Sequence, residues 1–203
     1  GAAAPPATGP QKNWRKDEEE MRQWLVRKYG AILEDESEKT LKKLTAHPDY
    51  RFLAGEVDGV GSKDGKRFLI ECKSTSDETR FLDRDGNLDR GHDYFYQVVG
   101  YMAIHDLSKC WFIIKTETIT ETKNATKTET EIKKLEIPRD NDFFQGEMLP
   151  KLERFYFKHY LPRVYAKVLH KQAKREKAMS KKGDGSDSDV ALEECLNELA
   201  LEN

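Results

Sequence analysis

The chain has 203 residues, 35 of them Lys or Arg and 37 Asp or Glu, so its formal net charge is −2. That length accommodates one domain with a full core plus tails, and the charge balance excludes a globally basic nucleic-acid coat, leaving any such affinity to a local patch. Three cysteines, Cys72, Cys110 and Cys195, are an odd number without metal-ligand spacing and are read as reduced thiols of an intracellular protein, nuclear or cytoplasmic. No run approaches the roughly 18 apolar residues of a membrane span, and the start GAAAPPATGPQK lacks the apolar centre of a signal peptide, so no membrane partner is expected.

Residues 1–12 are small and Pro-rich, the composition of a disordered segment. From Asn13 to Tyr29, Trp14, Met21, Trp24, Leu25 and Val26 fall mostly at helical spacing, and Gly30 stands where a C-cap would. Asp17, Glu18, Glu19 and Glu20 crowd the first half of this helix as a mostly solvated face, with one acid available to turn inward. A short strand is expected at Ala31–Leu33 and a short helix around Glu38–Leu44, and His47, just before Pro48, reads as a loop residue.

The stretch RFLAGEVDGVGSKDGKRFLIECK, Arg51 to Lys73, reads as a hairpin: Phe52–Val60 outward, a polar turn at Lys63–Lys66, and an apolar return at Arg67–Cys72. Strand alternation puts Glu71 and Lys73 on one face and Cys72 on the other, with Asp58 opposite from the partner strand. Hard divalent ions take one or two carboxylates plus waters and substrate phosphate, and a lysine beside them stabilises the charge of phosphodiester hydrolysis. Such a trio also arises by chance in a chain that is 35% charged, a Glu71–Lys73 salt bridge being the alternative. Its apolar setting favours function, because ionised groups are costly there unless paired or bound to metal.

Ser74 to Asp93 is a long polar stretch, expected to be a substrate-contacting loop or a flexible connection, in which Arg80, Arg84 and Arg90 could reach phosphates. Its Asp83, Asp85, Asn87 and Asp89 lack the glycine placement and closing glutamate of a calcium loop. Tyr94–Asp106 is an apolar helix buried against the sheet; Gln97 and Tyr101, one turn apart, share a face, aimed at the carboxylates or satisfied by nearby backbone. Lys109–Thr122 and Thr126–Ile137 form a second hairpin across Lys123-Asn124-Ala125, closed by Pro138.

Asp140 to about Ala178 is helical, with Pro150 opening a segment and Pro162 kinking or splitting the helix. Arg163–Lys182 is basic, suited to a phosphate backbone, a nuclear-import receptor or plain solvent. Gly183–Asp189 is a flexible acidic linker. After it Leu192, Cys195, Leu196 and Leu199 fall on one helical stripe, marginal alone, suited to a partner groove or to a flap on its own domain. The organisation expected is a tail at 1–12, a domain at 13–178, and a linker with terminal peptide at 179–203, a protein partner being reached through 188–203.

Asp58-Gly59 within HPDYRFLAGEVDGV, Glu71-x-Lys73 within LIECKS, Tyr94-x-x-Gln97 within YFYQVVGYMAIHD and the later IPRDNDFFQGEMLPKLERFYFKHYLP together resemble the PD-(D/E)xK nuclease superfamily. Over residues 13–165 the spacing looks most like the YqaJ and phage lambda-type exonuclease group, while Glu56-Val57-Asp58-Gly59 and Gln97-x-x-x-Tyr101 are similar to RecB and Cas4-type nucleases. The resemblance implies an α/β, restriction-endonuclease-like core with a mixed central sheet flanked by helices. It further implies hydrolysis of DNA with Mg2+ or Mn2+, as an exonuclease on linear DNA in recombination, repair or replication. In that pattern Asp58, Glu71 and the carbonyl of Cys72 ligate metal, assisted by Glu18 or its neighbours Glu19 and Glu20. Lys73 positions or activates water, Gln97 orients the lysine or the water, and Tyr94 and Tyr101 contact substrate beside the arginines. A nucleic-acid-binding module with an idle nuclease fold, or an assembly subunit, are the other readings.

Overall fold

The computed structural model describes residues 10–34, 44–122 and 125–180, in two compact units, Gly1–Phe144 and Gln145–Asn203. The N-terminal tail, nearly all of the helix expected at Glu38–Leu44, the acidic linker and the Leu192–Leu199 peptide lie outside the described residues. Among the described residues no helix is long and apolar enough to cross a membrane.

The first unit is mixed α/β. Helix α1 (Pro10–Tyr29) precedes strands β1 (Ile32–Leu33), β2 (Thr45–Ala46), β3 (Ala54–Gly55), β4 (Gly59–Lys63) and β5 (Lys66–Thr75). Helix α2 (Asp93–Ile104) and strands β6 (Lys109–Thr122) and β7 (Ala125–Pro138) follow. Five strands make a sheet in the order β1-β4-β5-β6-β7, and β2 pairs with β3 apart from it. Among the described residues only β5 and β6 run parallel, and the chain joins them through α2, as a parallel pair requires a long crossover.

Alternation along β5 sorts the two faces of the sheet. Phe68, Ile70 and Cys72, with Trp111 and Ile113 of β6, form a buried cluster with Met21 and Leu25 of α1 and with Ala31. The intervening Leu69 and Glu71 are in register with Cys110 and Phe112, and α2 packs on this region of β5 and β6 through a face that buries Phe95, Val98, Val99 and Met102. Helix α1 stops at Gly30, whose φ of +65° favours glycine and whose N–H bonds the Val26 carbonyl at 3.0 Å.

The first hairpin turns through Asp64 and Gly65, both at positive φ, the condition for a two-residue turn matching strand twist. Its outgoing strand is shorter than the expected Phe52–Val60: Ala54–Gly55 pairs instead with Thr45–Ala46, and β4 begins only at Gly59. The ladder stops there because the side chain of Asp58, not a backbone carbonyl, accepts the Cys72 N–H at 2.7 Å. The second hairpin runs as expected, from Lys109 opposite Pro138 to Thr122 opposite Ala125.

Ser74–Asp93 is ordered, not a flexible connection. Strand β5 continues to Thr75, Asp77 caps a 3-10 turn at Glu78–Arg80, and Leu82 bridges to Leu88. Phe81 and Leu88 are buried as its apolar anchors, and Asp83 Oδ1 accepts the N–H groups of Asp85 and Asn87, an Asx arrangement that needs no cation.

Downstream come α3 (Asn141–Phe143), α4 (Leu149–Phe155) and α5 (Leu161–Ser180), with π-turns at Phe144–Met148 and Tyr156–Tyr160. Each π-turn ends two residues before a proline, Pro150 or Pro162. A proline in a helix lacks its N–H and crowds the carbonyl four residues back, and the wider π-turn makes room. Pro150 opens α4 as the sequence suggests, and the kink expected at Pro162 takes the form of the preceding π-turn.

Candidate active site

Strand β5 carries the site because it is central and buried up to the point where its pairing with β4 ends. Glu71 is only 1% exposed. Its Oε1 accepts from Lys73 Nζ at 2.5 Å, while its Oε2, also buried, has no hydrogen-bond partner among the described residues. An unpartnered oxygen on a buried carboxylate is expensive, so its retention calls for a ligand or a function. Asp58 lies one residue before β4, and extending the register in which Gly59 faces Ile70 puts it level with Glu71.

Burial first, and then the charge of Asp58, push the Glu71 carboxyl up to about 8 against the pull of Lys73. Burial likewise raises Asp58 above the usual carboxylate range, opposed by the Cys72 amide, Lys73 and Arg22. For Lys73 burial acts downward, but the charge and hydrogen bond of Glu71 together with the charges of Asp58 and Tyr94 outweigh it, and the ammonium is held above its ordinary range. Its Nζ also lies 4.5 Å from the centre of the Tyr94 ring, a cation–π contact. Tyr94 is in turn held by Phe81, His92 and Phe112. The salt bridge weighed as the alternative from sequence therefore exists, and it occupies one of the two Glu71 oxygens.

Helix α1 sorts its own acids. Asp17 and Glu20 accept from Lys115 Nζ at 2.7 and 2.9 Å, and Glu19 accepts from Arg22 and Gln23. Glu18 is the member of the run whose negative charge raises both Glu71 and Cys72. From the other side, Gln97 Nε2 donates to Tyr101 Oη at 3.2 Å. The Tyr101 hydroxyl is raised by burial and further by the charges of Glu71 and Asp58. Gln97 and Tyr101 therefore partner each other, close enough to the carboxylates for Tyr101 to feel their charge.

Not every expected residue joins this group. Arg90 pairs with Asp140 at 2.7 Å and lies over the rings of Phe95 and Phe143, while Arg80 and Arg84 are exposed on the ordered 74–93 segment. His47 is buried and structural, its Nδ1 accepting the N–H groups of Asp49 and Tyr50. Two residues went unremarked in the sequence. Arg22 donates to the Asp58 carbonyl at 2.9 Å and, with Glu19, Gly59 and Ile70, lines a cavity of about 220 Å³. Lys115 is buried in the otherwise apolar run CWFIIK and gathers Asp17, Glu20 and Glu117. A lone lysine at a core-facing strand position was the available signal for the second; a helical arginine gives none.

The donor set is two carboxylates, one of them with an unpartnered oxygen, beside a strand backbone. Among the described residues no group of three His, Cys, Asp or Glu side chains is gathered as a metal site. Asp58 and Glu71 nonetheless suit a hard cation that uses one or two carboxylates and keeps its waters. Compared with protein-family models and with curated proteins, the sequence finds no match.

Proposed function

We propose that this protein is a metal-dependent nuclease that hydrolyses DNA phosphodiester bonds, acting as an exonuclease on linear DNA, with a restriction-endonuclease-like core. The observation that carries the reading is the unpartnered Oε2 of fully buried Glu71 beside Asp58. Asp58, Glu71 and the Cys72 carbonyl would hold Mg2+ or Mn2+, with Glu18 assisting. When bound, such an ion supplies charge neutralisation at the phosphate and water of lowered pKa.

The chain's own groups do the rest. Lys73 Nζ holds a proton at the carboxylates, and the Tyr94 ring steadies it there, so the ammonium is placed to stabilise negative charge developing on a phosphoryl oxygen. Gln97 holds the Tyr101 hydroxyl by its hydrogen bond. Arg22 fixes the Asp58 backbone, so the carboxylate keeps its level with Glu71 without a continued ladder. The ordered 74–93 segment presents Arg80 and Arg84 for phosphate contact.

The test is cleavage of end-labelled linear duplex, single-stranded and closed circular DNA with Mg2+, with Mn2+ and with chelator. Metal-dependent loss of linear but not circular DNA, absent in Asp58→Ala and Glu71→Ala, is the expected result; cutting retained by Asp58→Ala refutes the assignment. One observation favours a second reading: the Glu71–Lys73 ion pair can satisfy a nuclease fold that binds DNA and leaves its site idle. DNA affinity without cutting in either metal is the outcome that selects it.

A further inference from the structure

The second unit exposes an apolar stripe. Leu161, Tyr165 and Leu169 of α5 succeed one another at four-residue spacing, with Tyr165 63% and Leu169 46% exposed, and Phe157 in the preceding π-turn is exposed as well. Residues four apart lie on one helical face, so these side chains make a contiguous patch, the kind of surface that marks an interaction site. From Leu161 to Lys182 the sequence carries eight Lys or Arg and a single acid, Glu176.

From Gly183 to Asn203 the balance reverses to seven acids and no Lys or Arg. Leu192, Cys195, Leu196 and Leu199 recur there at the spacing of one helical stripe. We propose that this terminal segment of the same chain is the occupant of the α5 stripe, laying Leu192–Leu199 against Leu161–Leu169 in an antiparallel return. Residues 181–189 span up to about 30 Å when extended, whereas Leu169 lies roughly 17 Å of helix before Ser180. The connection is long enough.

The chemistry distinguishes this occupant from others. A second copy would bring the same basic helix against α5 and incur like-charge repulsion, and a nucleic-acid strand would leave Leu161 and Leu169 without an apolar partner. The terminal segment supplies both an apolar stripe and opposite charge, and its tether gives a millimolar effective concentration that offsets the weakness of so short a helix. The proposal stands independently of the nuclease reading.

Crosslinking in the 203-residue chain tests it. Cys72 and Cys110 are buried, so Leu169→Cys has Cys195 as its partner under mild oxidation at low protein concentration. The expected result is an intrachain disulfide, mapped by peptide mass. Lys167→Cys, roughly 200° round the helix from Leu169, gives none, and Leu196→Asp in the Leu169→Cys background lowers the yield at least several-fold. Both cysteine positions are exposed, and circular dichroism confirms that each variant is folded. No intrachain bond from Leu169→Cys, equal yield from Lys167→Cys, or bonds only between chains would overturn the proposal, the last assigning the stripe to a second copy.

Discussion

Glu71 is held where its charged form is disfavoured, and this sets how the protein responds to pH. Its folded-state value of about 8 lies above the ordinary value of 4.5, so the folded state holds this proton more tightly than the unfolded chain. The stabilisation is complete below pH 4.5 and is lost as pH rises through about 8; Asp58 shifts in the same direction. In chelator, stability is expected to decline between pH 5 and 8.5 by about 1 kcal/mol or more, the scale of one pKa unit. Glu71→Gln flattens that decline, which denaturant titrations at several pH values would measure. On the proposed nuclease reading, Lys73→Ala is expected to slow DNA cleavage about 10²-fold or more, the scale of losing one electrostatic stabiliser, while Mn2+ binding by calorimetry is largely retained. Equal loss of metal binding would make Lys73 a scaffold for Glu71 only.

At the scale of elements, two contacts set where the helices stand. A Cβ at Gly55 would lie 2.3 Å from the Tyr101 ring, closer than atoms tolerate, so β3 and α2 meet only with glycine there. Gly55→Ala is expected to displace Tyr101 and loosen its bond from Gln97, lowering cleavage more than stability. Tyr101 fluorescence or NMR shifts in the variant, beside its activity, check this. Lys115 of β6 ties down the middle of α1 through Asp17 and Glu20 and also pairs with Glu117 of its own strand, and Ser74 of β5 adds a bond to Asp17 at 2.9 Å. Lys115→Met keeps the buried stem but strands three carboxylates, two of them half exposed. It is expected to cost about 2 kcal/mol, the scale of hydrogen bonds to charged groups, in urea unfolding.

At the scale of the whole molecule, a cation that binds the folded state alone stabilises it by mass action, about 2.7 kcal/mol at a hundredfold excess over Kd. On the proposed metal-dependent reading, Mg2+ or Mn2+ is therefore expected to raise the thermal midpoint of the chain, most at low ionic strength and above pH 7, and to leave Asp58→Ala unmoved. An equal rise in both would place the ion elsewhere. The same titration run near pH 8 is expected to release protons, because Glu71 must ionise to bind metal.

The local grammar of the sequence determined much of this arrangement. Helical spacing gave α1 and α2, alternation placed Glu71 and Lys73 together and Cys72 opposite, and the glycines Gly30 and Gly65 marked ends and turns, because each of these depends on neighbours within a few residues. What only the tertiary structure decided was set by contacts far apart in the chain. Asp58 leaves the ladder because its carboxylate takes the Cys72 amide, fourteen residues on. Three adjacent glutamates with the same propensity are distinguished only by Arg22 on one side and Lys115 on the other. The 74–93 segment is ordered because Phe81 and Leu88 find a core to enter. Propensity and periodicity carry no information about such partners, since a side chain's burial and pairing exist only once the sheet has brought distant strands together.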